Sequence, residues 1–537
     1  MRKLHTALAV LGLVAAVLVL SSCGGSGGKE GGTLSGSYAS FPELDPTIAF
    51  SVEGWTAMYG TYLPLLTYKH ANGDEGAEVV PALAESLPKI SPDGKTYALT
   101  LRKGLKYSDG ASVKASDFTA SIERVFKLNS YGSSFYTDIV GAEKFAETKS
   151  GGIPGIKTDD KTGKITIELV KPRGTFTNEL ALLYATVLPA GTPAKNLTDD
   201  PPPATGPYEI VNVEPGRGWT YKRNPQWAKS NAAEIPEVPS GHVDEIDISV
   251  IRNQATQVNE IERNKTNWMQ TVVPADLYNK VKDRYVGTQF RVEYPINVYF
   301  FWLNMSRAPF DDLKVREAVN YAVDPKALER IYSGTLAAGH QILPKGVPGH
   351  ESFDLYPHNM AKAKALIAEA HPSDREITVW TDNESPNDDA GAYYASVLEE
   401  LGFDVKLKTI SADVYFQLIS NPSTSNLDTG WADWFADYPH PNDFIEPNFS
   451  GNNIGSTNLS HMDVPKLTEK IESLGEEQLG PQQEDEYASL DREIMAQAPW
   501  VPYGTIIVST FVSKEVDLDE VVFNLLLGQD LTSFQLK

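Results

Sequence analysis

LKYSDGASVKASDFTASIER, residues 105–124, changes its periodicity within a few positions. Leu105 to Ser108 reads as a strand, and Asp109-Gly110 as the turn that ends it, because glycine tolerates the positive φ such turns need. Ser116 stands where a helix cap is expected, ahead of a helix over Asp117–Lys127. Phe118, Ile122, Val125 and Phe126 fall on one face of that helix, which must therefore pack against something. Strand and helix keep alternating to either side. Upstream, Thr33–Ser37 and Tyr97–Arg102 read as strands, and Gly54–Leu66 as a helix or a helix plus a strand. Downstream, Ile165–Leu169 is a strand, and Thr205–Ile210 opens a sheet element whose hairpin partner is Gly218–Arg223. Val292–Leu303, interrupted by Pro295, is a long aromatic strand placed to cross between two bodies. A helix over Leu313–Val323 stops at Asp324-Pro325, and Pro325 opens the next one. Ile377–Trp380, Ala390–Leu401 and Val405–Lys408 read as strand, helix and strand, which favours a parallel crossover. Further helices are expected over Met360–Glu369, Asp413–Ile419 and Glu484–Met495, and a last strand over Ile506–Val508.

The composition narrows the functions available. A chain of 537 residues, 41% hydrophobic and 10% aromatic, is globular, with room for two or three domains. Its net charge of −24 repels phosphate backbones, and no basic cluster offsets it, so a nucleic-acid partner is not expected. A single cysteine excludes an intrachain disulfide framework and a cysteine-based zinc site. The histidines show no metal spacing: His350-Glu351 begins like a zincin helix, but Asp354 stands where the second histidine should be. No metal and no cofactor are expected.

The first residues read as an export signal. Arg2 and Lys3 precede an apolar run, Ala7–Leu20, and small residues at Ser21-Ser22 lead directly to Cys23. The run is shorter than the ~20 residues a spanning helix needs. The arrangement resembles a bacterial lipobox, in which Cys23 carries lipid and becomes the mature N-terminus; two acyl chains anchor stably at about 0.8 kcal/mol per buried CH₂. Gly24–Gly32 is then a flexible tether. Gly24-x-Ser26-x-Gly28 within it matches a hydrolase nucleophile elbow only formally, lacking the strand and helix that motif requires.

The stretch 430–449, GWADWFADYPHPNDFIEPNF, concentrates two Trp, three Phe, one Tyr, four acidic residues and three prolines. The prolines argue against a continuous helix or a central strand, so irregular backbone is expected. Aromatic walls with a carboxylate among them suit a small cationic or zwitterionic ligand with apolar parts. An aromatic satellite core under a long loop is the alternative.

Four segments together resemble the family 5 solute-binding proteins, the oligopeptide- and dipeptide-type receptors of ABC importers. Leu105–Arg124 is close to that family's DG-x-x-V-x-A-x-DF-x-x-S-x-x-R stretch, with Tyr107 a mild departure. Thr205–Trp227 (TGPYEIVNVEPGRGWTYKRNPQW) is similar to its GTGPY…RNP segment, and Asn304–Asp324 (NMSRAPFDDLKVREAVNYAVD) to its PFDD-x-x-VR helix. Ala436-Asp437-Tyr438-x-x-Pro441-x-x-Phe444 is similar to its substrate loop. Read physically, the first three are structural: turns, a helix entry with Asp311 and Asp312 near the dipole, and an Arg316 expected in an ion pair.

The resemblance implies a two-lobed α/β fold of the periplasmic-binding-protein type (type II, cluster C) with a subdomain inserted in the N-terminal lobe. Residues 1–22 would be the signal peptide and 23–32 the lipidated cysteine and tether. Residues 33–70, 170–293 and 501–537 would form lobe I, 71–169 its inserted subdomain, and 294–500 lobe II. The family's aspartate for a ligand α-ammonium corresponds to Asp437, although a turn-capping Asp is the structural alternative. Trp434, Phe435 and Ala436 should share its wall. Asp433, which could anchor the ligand itself, Trp431 and Tyr438 are further candidates, as are Tyr38 and Trp55 from lobe I. The function implied is a lipid-anchored, extracytoplasmic, monomeric receptor that hands oligopeptides to the membrane subunits of an ABC permease. An oligosaccharide or other solute, a hydrolase using Asp433 and Asp437, and a sensor with the same binding residues are the alternatives.

Overall fold

A computed structural model describes residues 29–421 and 427–537, apart from the side chain of Asp413; the export signal, Cys23 and most of the tether lie outside the described residues. Two large sheets organise the chain. The first has seven strands in the order 290–293, 508–512, 268–269, 33–38, 245–250, 218–223 and 208–214. Its centre is parallel: Thr33–Tyr38 pairs in register with Glu245–Val250 on one side and with Trp268–Met269 on the other. The second has six strands in the order 336–338, 500–506, 297–303, 429–435, 376–382 and 404–410. A four-stranded antiparallel sheet (89–90, 96–100, 164–168, 156–159) lies in the segment between residues 71 and 169.

The expected parallel crossover is present. Glu376–Asp382 pairs in parallel with Asp404–Ile410, and the helix Asn387–Glu400 connects them. Phe290–Glu293 belongs to the first sheet and Asn297–Leu303 to the second. The long aromatic run is therefore two strands, divided at Tyr294-Pro295-Ile296, where proline has no N–H to offer a ladder. The return differs from its expected position. Trp500–Ile506 still pairs with Asn297–Leu303, and Val508–Val512 is the first strand back in the other sheet, so the chain crosses at Ile507 rather than at residue 501.

The helix of the opening stretch runs over Ala115–Lys127 with Lys114 as its cap, two residues earlier than Ser116 suggested. Its entry is held by Asp117, whose carboxylate accepts a hydrogen bond from the Lys114 N–H (2.8 Å) and from the Tyr107 hydroxyl (3.0 Å). Near the helix's other end Arg124 makes two parallel hydrogen bonds to Asp45 (2.7 and 2.8 Å), both side chains buried, and donates to the carbonyls of Pro193 and Lys195. Among the described residues Arg316 makes no ion pair, contrary to expectation: its guanidinium donates to the carbonyls of Phe310, Asp311 and Gln497. Among the described residues no helix is long and apolar enough to cross a membrane.

Candidate functional site

In open α/β sheets ligands settle outside the carboxyl ends of the parallel strands, where helix N-termini and loops converge. In the second sheet that edge is formed by Asp382, Ile410 and Phe435, the last residues of three strands. The sequence 430–449 supplies much of it, but not as irregular backbone. Thr429–Phe435 is a central strand, paired antiparallel with Asn297–Leu303 and parallel with Glu376–Asp382. Pro441–Phe449 is a helix with Pro441 in its first turn and Pro447 near its end. All three prolines lie beyond the strand, and a proline in the first turn of a helix forfeits no hydrogen bond.

Between strand and helix, residues 436–440 carry the polar centre. The Ala436 N–H donates to Ile296 O at the crossover (3.0 Å), tying the turn to the junction between the sheets. Asp443, 1% exposed, accepts hydrogen bonds at Oδ2 from the Asp437 N–H (3.1 Å) and the Trp434 indole (3.3 Å). The turn thus brings two carboxyl groups together with no cation: among the described residues neither Asp437 nor Asp443 forms an ion pair. Burial raises the Asp437 carboxyl to about 7. Burial, and then the charge of Asp437, raise Asp443 well above the usual carboxylate range. Asp437 itself remains half-buried, reached by solvent. Among the described residues the Asp437 carboxylate accepts no backbone N–H that would make it a turn cap, and its own amide is held by Asp443.

Tyrosines from the first lobe face these acids. Burial first and the charge of Asp437 second raise the Tyr184 hydroxyl, and the same causes raise that of Tyr131, although 58% of Tyr131 is exposed. Tyr184 meets Trp55 edge-on (5.8 Å) and stacks on Phe135 (6.0 Å), which in turn meets Tyr438 of the second lobe (6.2 Å). An aromatic chain therefore runs from Trp55 across the gap to the acidic turn. The Tyr184 hydroxyl is buried without a hydrogen-bond partner among the described residues. Arg173 is the cation whose charge reaches Tyr438, but it is taken up by Glu179 (2.6 Å) and Asp138 (2.9 Å).

The remaining candidates fall in different places. Trp434 is half-buried beside the Asp437 turn, whereas Phe435 is exposed and meets Tyr299 on the other face of the strand (6.3 Å). Trp431 and Asp433 point to the opposite face of the strand from Trp434, in a second cluster with Tyr299. The carboxyls of Asp433 and Asp437 thus belong to separate groups of neighbours. Trp55 is largely buried, its indole donating to Ala49 O (2.9 Å). Tyr38 is fully buried, edge-on to Trp219 (4.9 Å) and Trp268 (5.7 Å); it is core in this conformation and presents no surface to a ligand. Tyr131, Tyr184 and Asp443 were not singled out from sequence. Asp443 lies inside the stretch that drew attention, whereas nothing local marks the two tyrosines.

Comparison with known proteins bears on the family and the fold. Residues 78–456 match the bacterial extracellular solute-binding proteins, family 5. Heme-binding protein A of Haemophilus influenzae is 26% identical, over 92% of this chain and 93% of its own length. The dipeptide-binding protein of Escherichia coli K12 is 26% identical over 70% of each. Among solved structures, clavulanic acid biosynthesis oligopeptide binding protein 2 superposes with a TM-score of 0.87 at 22% identity, covering 95% of this chain and 96% of that one. Haemophilus influenzae OppA, in complex with the peptide RPPGFSPFR, gives a TM-score of 0.72 at 18% identity, covering 95% and 100%. The chain belongs to family 5 of the bacterial extracellular solute-binding proteins, the two-lobed substrate-binding proteins of ABC importers.

Proposed function

We propose that this protein is a lipid-anchored oligopeptide receptor that closes its lobes on a peptide, pairs the peptide's α-ammonium with Asp437, and delivers it to an ABC permease. Lobe I would comprise residues 33–70, 170–293 and the chain after Ile507, with residues 71–169 inserted, and lobe II residues 294–506. The observation that carries the reading is Asp437: a half-buried carboxylate without a cation, at the carboxyl edge of the sheet, opposite tyrosines of the other lobe. An ammonium 4 Å away contributes about 4 kcal/mol at an effective dielectric near 20, before both groups are desolvated. Trp434, Phe435 and Tyr438 would supply apolar walls tolerant of many side chains. Cys23 would carry the lipid and residues 24–32 the tether, and the protein would act as a monomer. The relatives named for dipeptides and oligopeptides favour a peptide over a sugar.

Calorimetry with a tripeptide and a maltotriose tests the ligand class. The tripeptide should bind, and Asp437→Asn should weaken it by about 2–5 kcal/mol, the usual loss when one member of a buried charge pair is removed. Saccharide binding without peptide binding would overturn the reading. Cys23→Ser should move the protein from the membrane fraction to the soluble fraction and abolish palmitate incorporation; unchanged fractionation would remove the anchor.

A further inference from the structure

We propose that the cleft holds a second cation subsite, centred on Asp433, so that the preferred ligand is dicationic and lacks a free carboxylate at its far end. The inference rests on Asp437 receiving the first cation and extends it. Asp433 lies two residues before the end of the central strand, directly across from Tyr299 of the neighbouring strand. Tyr299 meets Trp431 (5.9 Å), Tyr332 (6.0 Å), Tyr503 (6.2 Å) and Phe435 (6.3 Å). Trp431 also lies parallel to Tyr415 at 5.7 Å. A carboxylate among aromatic rings is the arrangement that attracts ammonium and guanidinium groups, through charge and through ring quadrupoles. At the end of the adjacent strand Asp382, 4% exposed, adds a second carboxylate, held by the Glu384 N–H and the Asn387 amide.

Three further observations point to a missing guest rather than a sealed core. Trp431 is 2% exposed and sits on the same face of the strand as Asp433, and among the described residues its indole N–H, like those of Trp268, Trp302 and Trp500, has no hydrogen-bond partner. Phe435, the next residue on that face, is 37% exposed, so the cluster opens at the sheet edge. No lysine, arginine or histidine forms an ion pair with Asp382, Asp433, Asp437 or Asp443 among the described residues. A ligand ending in a carboxylate would meet like charge there.

The two subsites are distinct. Asp437 acts electrostatically on Tyr68, Tyr131, Tyr184 and Asp443, whereas Asp433 acts on Tyr299, Tyr332, Tyr415 and Tyr503, with no residue in common. Four residues of extended chain separate their Cα atoms by roughly 14 Å at most. A ligand reaching both would pass over the sheet edge at Phe435, the 37% exposed last residue of the strand.

Titration calorimetry on the intact mature protein decides the matter, with dialanyl-lysine amide, trialanine amide and trialanine as probes. The dication should bind at least tenfold more tightly than the monocation, and the zwitterion most weakly. In Asp433→Asn, and in Asp433→Ser should the first fold poorly by circular dichroism, the ratio of dication to monocation affinity should fall close to one. A ratio near one in the wild-type protein, or one that either folded variant leaves unchanged, overturns the second subsite. If the wild type treats the probes alike while Asp437→Asn weakens them all, the Asp437 reading stands and this one falls. If no peptide binds, the peptide reading falls, and α,ω-diaminooctane against aminooctane decides the subsite. A tenfold diamine preference lost in Asp433→Asn supports it, and equal affinities or no binding remove it.

Discussion

Asp437 and Asp443 share one short turn, and their proximity has a measurable pH signature. Both carboxyls titrate higher in the folded protein than unfolded, Asp437 at about 7. Between the ordinary carboxylate range and pH 7 the native state therefore binds more protons than the unfolded chain. Their contribution to stability is fully present below the unfolded pKa and is lost as pH rises towards 7. A ligand ammonium requires the ionised Asp437, so peptide affinity should rise about tenfold per pH unit below 7 and level off above it. Calorimetry from pH 5 to pH 8 checks this, and a flat profile would argue against Asp437 as the anchor. Asp443→Asn keeps an oxygen for the Trp434 and Asp437 N–H groups while removing the charge. It should leave the midpoint of that profile in place, because burial alone raises the Asp437 carboxyl, and raise stability at pH 8 by roughly 1–3 kcal/mol in urea melts. Asp437 itself was legible in the sequence because the resemblance carried it. Its partner was not: the strand, the turn and the first helical turn must all fold before residues 437 and 443 meet.

At the scale of elements, hydrogen-bonding geometry corrected charge counting. Arg316 reads as an ion-pair residue beside Asp311 and Asp312, yet it serves three backbone carbonyls, two at the entry to its own helix and one after the helix Pro481–Met495. Arg316→Lys should therefore fail to rescue the fold, since one ammonium lacks the planar fork that reaches all three. A loss of about 2–4 kcal/mol in urea melts is expected for both Arg316→Lys and Arg316→Met. Arg124 is the converse case, a buried fork on Asp45 across a long stretch of sequence. Asp45→Ala should cost about 3–5 kcal/mol by stranding the guanidinium in the core. Proline misled in a similar way. Counted over residues 430–449, the prolines argue against regular structure; taken position by position, they fall after the strand and at the start and end of a helix. Density of a breaker matters less than whether the N–H it removes was needed.

For the whole molecule, residues 475–478 meet the segment around residues 97 and 173–174 through both backbone and side-chain hydrogen bonds. The Gly174 N–H donates to Gly475 O (2.9 Å), and the Gln478 amide donates to the Tyr97 hydroxyl (3.1 Å). A methyl group on Gly174 would overlap the Glu477 carbonyl oxygen, a fixed atom that cannot move aside as a side chain could. Gly174→Ala should therefore hold the lobes apart, increasing the radius of gyration in small-angle scattering and weakening peptide binding at least tenfold. An unchanged scattering profile would show that this contact does not govern closure. The protein is a binder and not an enzyme, and closure of this kind is the mechanical step that such a binder can present to an importer.

Local sequence determined the alternation of strand and helix, the parallel crossover over residues 376–410 and the family. Each of these depends on neighbouring residues or on short motifs read in order. Tertiary structure alone decided which side chains face one another across the cleft. Tyr131 and Tyr184 stand opposite Asp437, Tyr38 disappears into the core, and Asp433 takes a different face of its strand from Trp434. A side chain's direction is set by strand register and lobe packing, which involve partners hundreds of residues away, and no local pattern encodes them.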